Sequence, residues 1–147
     1  MDVRGKLCTL YPISWQGAAV APKQVDLNLV NQSFQGTLVA ELAKAGLDLR
    51  MPVAGVADQE LVIRGQIVRA DPGSRLMRYL FTWFAGAAVL EVEGQIGSAA
   101  GPFGGFNAKG TRRAGIGGGD SQKMLNDAAR LAAQSAAKQI LAVLAVR

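Results

Sequence analysis

The chain has 147 residues, half of them hydrophobic and 18% charged, which is the size and composition of one folded domain rather than a disordered segment. Sixteen basic against eleven acidic residues leave a formal charge of +5, and there is no histidine and one cysteine. These counts exclude Ser-His and Cys-His nucleophile pairs, histidine metal sites, zinc clusters and an intrachain disulfide.

Leu7 to Trp15 is rich in aliphatic and aromatic residues and reads as a first strand, with Pro12 making it an edge or bent strand. Cys8 lies in its apolar run and reads as a buried, inert thiol. Gly17 to Lys23 reads as a loop. Asp26 to Ala45 reads as an amphipathic helix. Leu27, Val30, Phe34, Leu38, Leu42 and Ala45 recur at spacings of three and four and form one stripe. Asp26 is the expected N-cap and Gly46 the residue that ends the helix. Gly36, in mid-helix, is expected to allow close approach to a sheet.

Leu47 to Val53 reads as a short strand or extended link, and Glu60 to Arg69 as a strand. In the latter Leu61, Ile63 and Ile67 share one face with Gly65, and Arg64 and Gln66 lie on the other. Asp71-Pro72-Gly73-Ser74 is a turn. Arg75 to Gly86 fits either a helical turn or a buried strand. Ala87 to Gly97 alternates cleanly, with Ala88, Leu90, Val92, Gly94 and Ile96 on one face and Val89, Glu91, Glu93 and Gln95 on the other. Phe103 to Arg112 is a further strand. Gly115 to Gly119 reads as a linker, and Asp120 to Val146 as a long Ala-rich helix. Its buried stripe is Leu125, Ala128, Ala132, Ala136, Ile140, Val143 and Leu144.

The order β-α-β-β-β-β-α predicts one α+β domain over residues 1–147. It is a two-layer sandwich, with a mainly antiparallel sheet of four to five strands covered on one face by two helices. Tyr79 to Leu90 is apolar but shorter than the about twenty residues a spanning helix needs. Met1 to Leu10 has no apolar h-region, so the chain as written reads as cytoplasmic.

The residues from Leu61 through Arg64-Gly65-Gln66-Ile67 and the turn Asp71-Pro72-Gly73-Ser74-Arg75 to Arg78 carry a resemblance. With Phe84-Ala85-Gly86 and Leu90-Glu91-Val92-Glu93, they resemble the bacterial family called domain of unknown function 4410. That family has a strand with Arg-Gly-x-Ile, an Asp-x-Gly-Asn-x-x-x-Arg turn and an alternating strand after a Gly-Phe-Gly-Ala-Gly segment. Here Thr82-Trp83-Phe84-Ala85-Gly86 stands in that last place. The resemblance implies an α+β envelope domain, in the periplasm or at the outer membrane and often lipid-anchored. Its fold is similar to that of the curli secretion lipoprotein, whose relatives form rings. It implies no catalytic residue and no cofactor, and membrane association only through a lipid anchor that this sequence does not carry.

Four features carry candidate chemistry. Glu91 and Glu93 share a strand face and have the spacing of a carboxylate pair, but a solvated face with cross-strand partners such as Arg64 or Lys109 is the simpler reading. Gly115-Ile116-Gly117-Gly118-Gly119 precedes a helix, but the Gly-Lys-Ser/Thr of a phosphate loop is missing. Lys109, Arg112 and Arg113 are the candidate contacts for nucleic acid or anionic lipid. The carboxylates and lack of aromatics on the open sheet face argue against RNA. Tyr79, Phe81, Trp83 and Phe84, rimmed by Arg75 and Arg78, are the candidate contacts for a protein partner or a second copy. The Ala129, Ala133, Ala137 ridge would admit a close helix. The expectation is a non-enzymatic domain acting through protein contacts, with no metal or cofactor.

Overall fold

A computed structural model of the chain describes residues 2–14, 26–71, 87–112 and 121–147. The elements are β1 (Leu7–Leu10), α1 (Leu27–Lys44), β2 (Asp48–Arg50), β3 (Leu61–Asp71), β4 (Ala88–Ser98), β5 (Gly101–Arg112) and α2 (Ser121–Ala145). The chain order is therefore the expected one. The strands form one sheet in the order β2-β1-β3-β4-β5.

The sheet is mixed. β1 pairs parallel with both β2 and β3, while β3, β4 and β5 are antiparallel neighbours. The parallel pairs arise because α1 carries the chain back along β1 before β2 begins. Of the two expectations raised by Pro12, an edge or a bent strand, the edge is not met: β1 is an inner strand. Its ladder stops at Leu10 and resumes at an isolated bridge between Ser14 and Gln66, across the position where Pro12 has no N–H to give.

Both helices cover one face of the sheet. α2 packs on β5, β4 and α1. The inward stripe of α1 is Val30, Phe34, Leu38 and Leu42. Asp26 caps the helix by accepting from the Asn28 N–H at 2.8 Å. Gly46, at φ +104°, closes it, with the Gly46 N–H donating to Ala43 O and the Leu47 N–H to Leu42 O, the paired bonds of a Schellman end. Gly36 faces solvent with nothing near it, so it serves no contact with the sheet.

In the sheet, Ile63, Gly65 and Ile67 of β3 stand in register with Ile96, Gly94 and Val92 of β4. A bulge at Val68 then shifts the phase, so that Ala70 points inward opposite Leu90. β5 brings Phe106, Ala108 and Gly110 to the same face. A Cβ at Gly110 would collide with the Ala128 carbonyl, and one at Gly104 would stand 2.5 Å from Val143 Cγ1. Those two glycines let α2 lie directly on β5.

The buried face of α2 is wider than one stripe. Ala128, Ala129, Ala132, Ala133, Ala136 and Ala137 are all buried within the single chain. The alanine ridge expected to receive another helix is consumed inside the fold, between α1 and the sheet.

Candidate functional site

The face of the sheet away from the helices is polar. Across its middle run three rows in register: Arg64 with Gln95 and Gly105, Gln66 with Glu93 and Asn107, and Arg69 with Glu91 and Lys109. Glu91 thus sits between two cations across strands, as expected for Lys109. Arg64, by contrast, faces neither glutamate. It pairs with Asp58 at 3.5 Å and lies 3.6 Å over the ring of Tyr11. The Tyr11 hydroxyl donates to Asp58. That hydrogen bond, then burial, holds the phenol proton above its ordinary range, and the Arg64 charge opposes the shift. Asn107 Nδ2 donates to Glu91 at 3.4 Å and to Glu93 at 3.2 Å. One amide therefore tethers both carboxylates of the candidate pair.

Many basic residues of the described surface stand beside acids, although Arg147 lies instead over the ring of Phe103. Arg112 and Arg130 share Asp127, Lys6 pairs with Glu60, Arg50 with Asp48 and Arg69 with Asp71. Lys109 has Glu91 as its neighbour in the sheet. Arg113 and Gly115 to Gly119 lie outside the described residues, as do Arg75, Arg78, Tyr79, Phe81, Trp83 and Phe84.

A second surface is apolar. The segment after β2 folds over the outer side of β1, pinned where the Gln59 N–H donates to Thr9 Oγ1 at 2.8 Å. Between segment and strand runs a groove of about 410 Å³, lined by Leu7, Met51, Pro52, Val53, Val56 and Ala57, with Arg50 and Asp58 among its polar residues. Four of its hydrophobic side chains are exposed, from 38% at Leu7 to 61% at Val53, with Met51 at 54% and Val56 at 59%. Single exposed hydrophobics need no explanation, but a cluster of them does. Sequence reasoning missed this groove. Met51 to Val56 has no periodicity, and only the fold sets Leu7 beside it.

Residues 18–138 match the family described as Domain of unknown function (DUF4410). The chain belongs to this family. No curated protein is similar to the chain in sequence. Among solved structures, the PelC dodecamer from Paraburkholderia phytofirmans is similar, with a TM-score of 0.54 and 16% identity over 97% of this chain and 89% of that one. The hypothetical protein CT253 from Chlamydia trachomatis has a TM-score of 0.59 and 10% identity over 95% of both chains. The DUF330 protein XCC0632 from Xanthomonas campestris has a TM-score of 0.58 and 10% identity, covering 99% of this chain and 89% of that one. At such identities the likeness is one of fold. Among the described residues, no helix is long and apolar enough to cross a membrane.

Proposed function

We propose that this DUF4410 chain is a non-catalytic building block of a bacterial envelope assembly, joined to further copies of itself through the groove beside β2. The observation that carries the reading is the cluster of Leu7, Met51, Val53 and Val56, left in water on one flank of an otherwise polar outer face. Covering it removes apolar area from water at about 25 cal/mol per Å². A copy of the same chain is the partner always present at matching concentration, and closed homo-oligomers are the usual outcome of such patches.

The fold similarity to a protein that is a dodecamer, PelC, supports the oligomeric habit. The envelope setting, periplasmic or outer-membrane, is part of this proposal and rests on what the family resemblance in the sequence implies. The tethering of Glu91 and Glu93 to one asparagine supports a structural role for that pair. The pairing of many of the described surface cations with acids supports a protein partner over a polyanion. The apolar run with Tyr79, Phe81, Trp83 and Phe84, rimmed by Arg75 and Arg78, is proposed as a second contact from sequence alone.

Photocrosslinking tests the groove. Cys8, the one native thiol, is buried, so Val56→Cys supplies the accessible one. A benzophenone maleimide attached there should give, on irradiation, a product of twice the chain mass. A chain that only crosslinks within itself overturns the reading. Fractionation of cells carrying the native gene tests the setting: recovery in the envelope fraction is expected, and recovery with the cytosol contradicts it.

A further inference from the structure

β5 closes one side of the described sheet. A strand in that position offers alternate peptide groups to any incoming strand. On β5 these include the peptide groups of Asn107, which lies near the middle of the strand.

Asn107 is already occupied. Its N–H donates to Gln139 Oε1 at 3.0 Å, and Gln139 Nε2 donates to its carbonyl at 2.8 Å. The side-chain amide therefore makes the two bonds that the N–H and C=O of one residue on an antiparallel neighbouring strand would make. Nε2 also donates to Ser135 Oγ at 3.1 Å, one turn back on α2, which fixes the amide plane.

The placement follows from the glycines. α2 rests on β5 where Ala128 meets Gly110 and where Val143 meets Gly104. Gly104 to Gly110 is about 20 Å of strand, and Ala128 to Val143 about 22 Å of helix. Gln139 lies about 6 Å of helix from Val143 and Asn107 about 10 Å of strand from Gly104, an offset that the glutamine side chain, leaning toward the helix N-terminus, spans to reach the strand. Nothing about core packing asks for an amide there, since Met or Leu would serve a half-buried helix position as well.

We propose that Gln139 is an edge lock. It occupies the hydrogen-bonding position at the centre of β5 and so keeps a strand of a second copy from extending the sheet. Lys109, two residues along the same strand, adds a charge of the kind that discourages strand addition. The lock is independent of the groove: copies can meet at β2 whether or not β5 is closed.

The test uses the whole chain with Gln139→Met, which keeps length and helix propensity and loses both bonds. Hydrogen exchange at the Asn107 amide should accelerate roughly tenfold, the equivalent of one lost hydrogen bond. Sedimentation should show concentration-dependent association beyond the wild-type species. Adding Asn107→Pro, which removes the edge N–H at a place where an edge strand tolerates proline, should abolish the extra association. Gln139→Glu, which retains an acceptor but no donor, should keep the Asn107 N–H protected and serves if the Met variant does not fold. Unchanged exchange in Gln139→Met overturns the proposal. So does faster exchange without new association, or association that survives Asn107→Pro.

Discussion

The ring of Phe106 occupies the space that a side chain at Gly94 would need. A Cβ at Gly94 would fall inside the contact distance of two ring carbons and stand 2.5 Å from the Arg64 carbonyl oxygen. The ring reaches on to Gly65, where its Cζ would lie 3.4 Å from an added Cβ. Gly65, Gly94 and Phe106 stand in one row across β3, β4 and β5, so one aromatic fills the inward positions of three strands. Gly94→Ala must displace either the ring or the backbone of β3. Overpacking of this kind costs about 2–3 kcal/mol, and the Tm should fall by roughly 5–10 °C in calorimetry.

Gly36 gives the opposite sign. It lies inside α1, exposed, with no atom near its missing side chain. Gly36→Ala should stabilise the chain by about 0.5–1 kcal/mol, because the helix gains propensity and the unfolded chain loses freedom. Chemical denaturation should show a higher midpoint with an unchanged slope. A lower midpoint would mean that the space beside Gly36 is used.

Cys8 yields a pH prediction. Burial pushes its thiol up to about 12, from an ordinary value of 9.0. Below pH 9 the group is protonated in both folded and unfolded chains and contributes nothing to the pH dependence. Between about pH 9 and 12 the unfolded chain ionises and the folded one does not. Stability should fall as pH rises through that window, by up to about 1.4 kcal/mol per unit from this group. At pH 8, alkylation of Cys8 by iodoacetamide should proceed only as fast as the chain opens; Cys8→Ala should make the alkaline slope shallower, leaving the part that Tyr11 contributes.

Much of the fold is legible in the sequence because its signals are local. The alternation of β4, the stripe of α1 and the Asp26 and Gly46 caps each reflect neighbours within a few residues. The parallel pairing of β1 is not legible, since register between distant segments leaves no mark in either. The Val68 bulge is invisible for a related reason: it is defined by the partner strand, which alone reveals that Arg69 and not Val68 faces Glu91. Nor could Gln139 be read as a partner of Asn107, because an amide on a helix looks the same whether it meets water or a strand edge. The groove escapes notice because it joins Leu7 to a segment some fifty residues later. Sequence directs attention instead to the denser apolar run around Trp83, which lies outside the described residues.

The carboxylate tether gives a prediction on the polar face. Asn107→Leu removes the amide that Glu91 and Glu93 share. It leaves two like charges on one strand face with only Arg69 and Lys109 beside Glu91. The cost should be modest, about 0.5–1 kcal/mol, and should shrink in high salt as the repulsion is screened. A salt-independent loss would assign the role of Asn107 to packing instead.

The most direct test of the central claim is the mass of the chain in solution, by sedimentation velocity at several concentrations, for wild type and Val53→Asp/Val56→Asp. Both positions are exposed, so the double variant should fold with stability within about 1 kcal/mol of wild type. Wild type should sediment as a homo-oligomer and the variant as a monomer with an unchanged circular dichroism spectrum. A wild-type chain that stays monomeric across the range, or a variant that assembles as wild type does, would contradict the groove as the seam between copies.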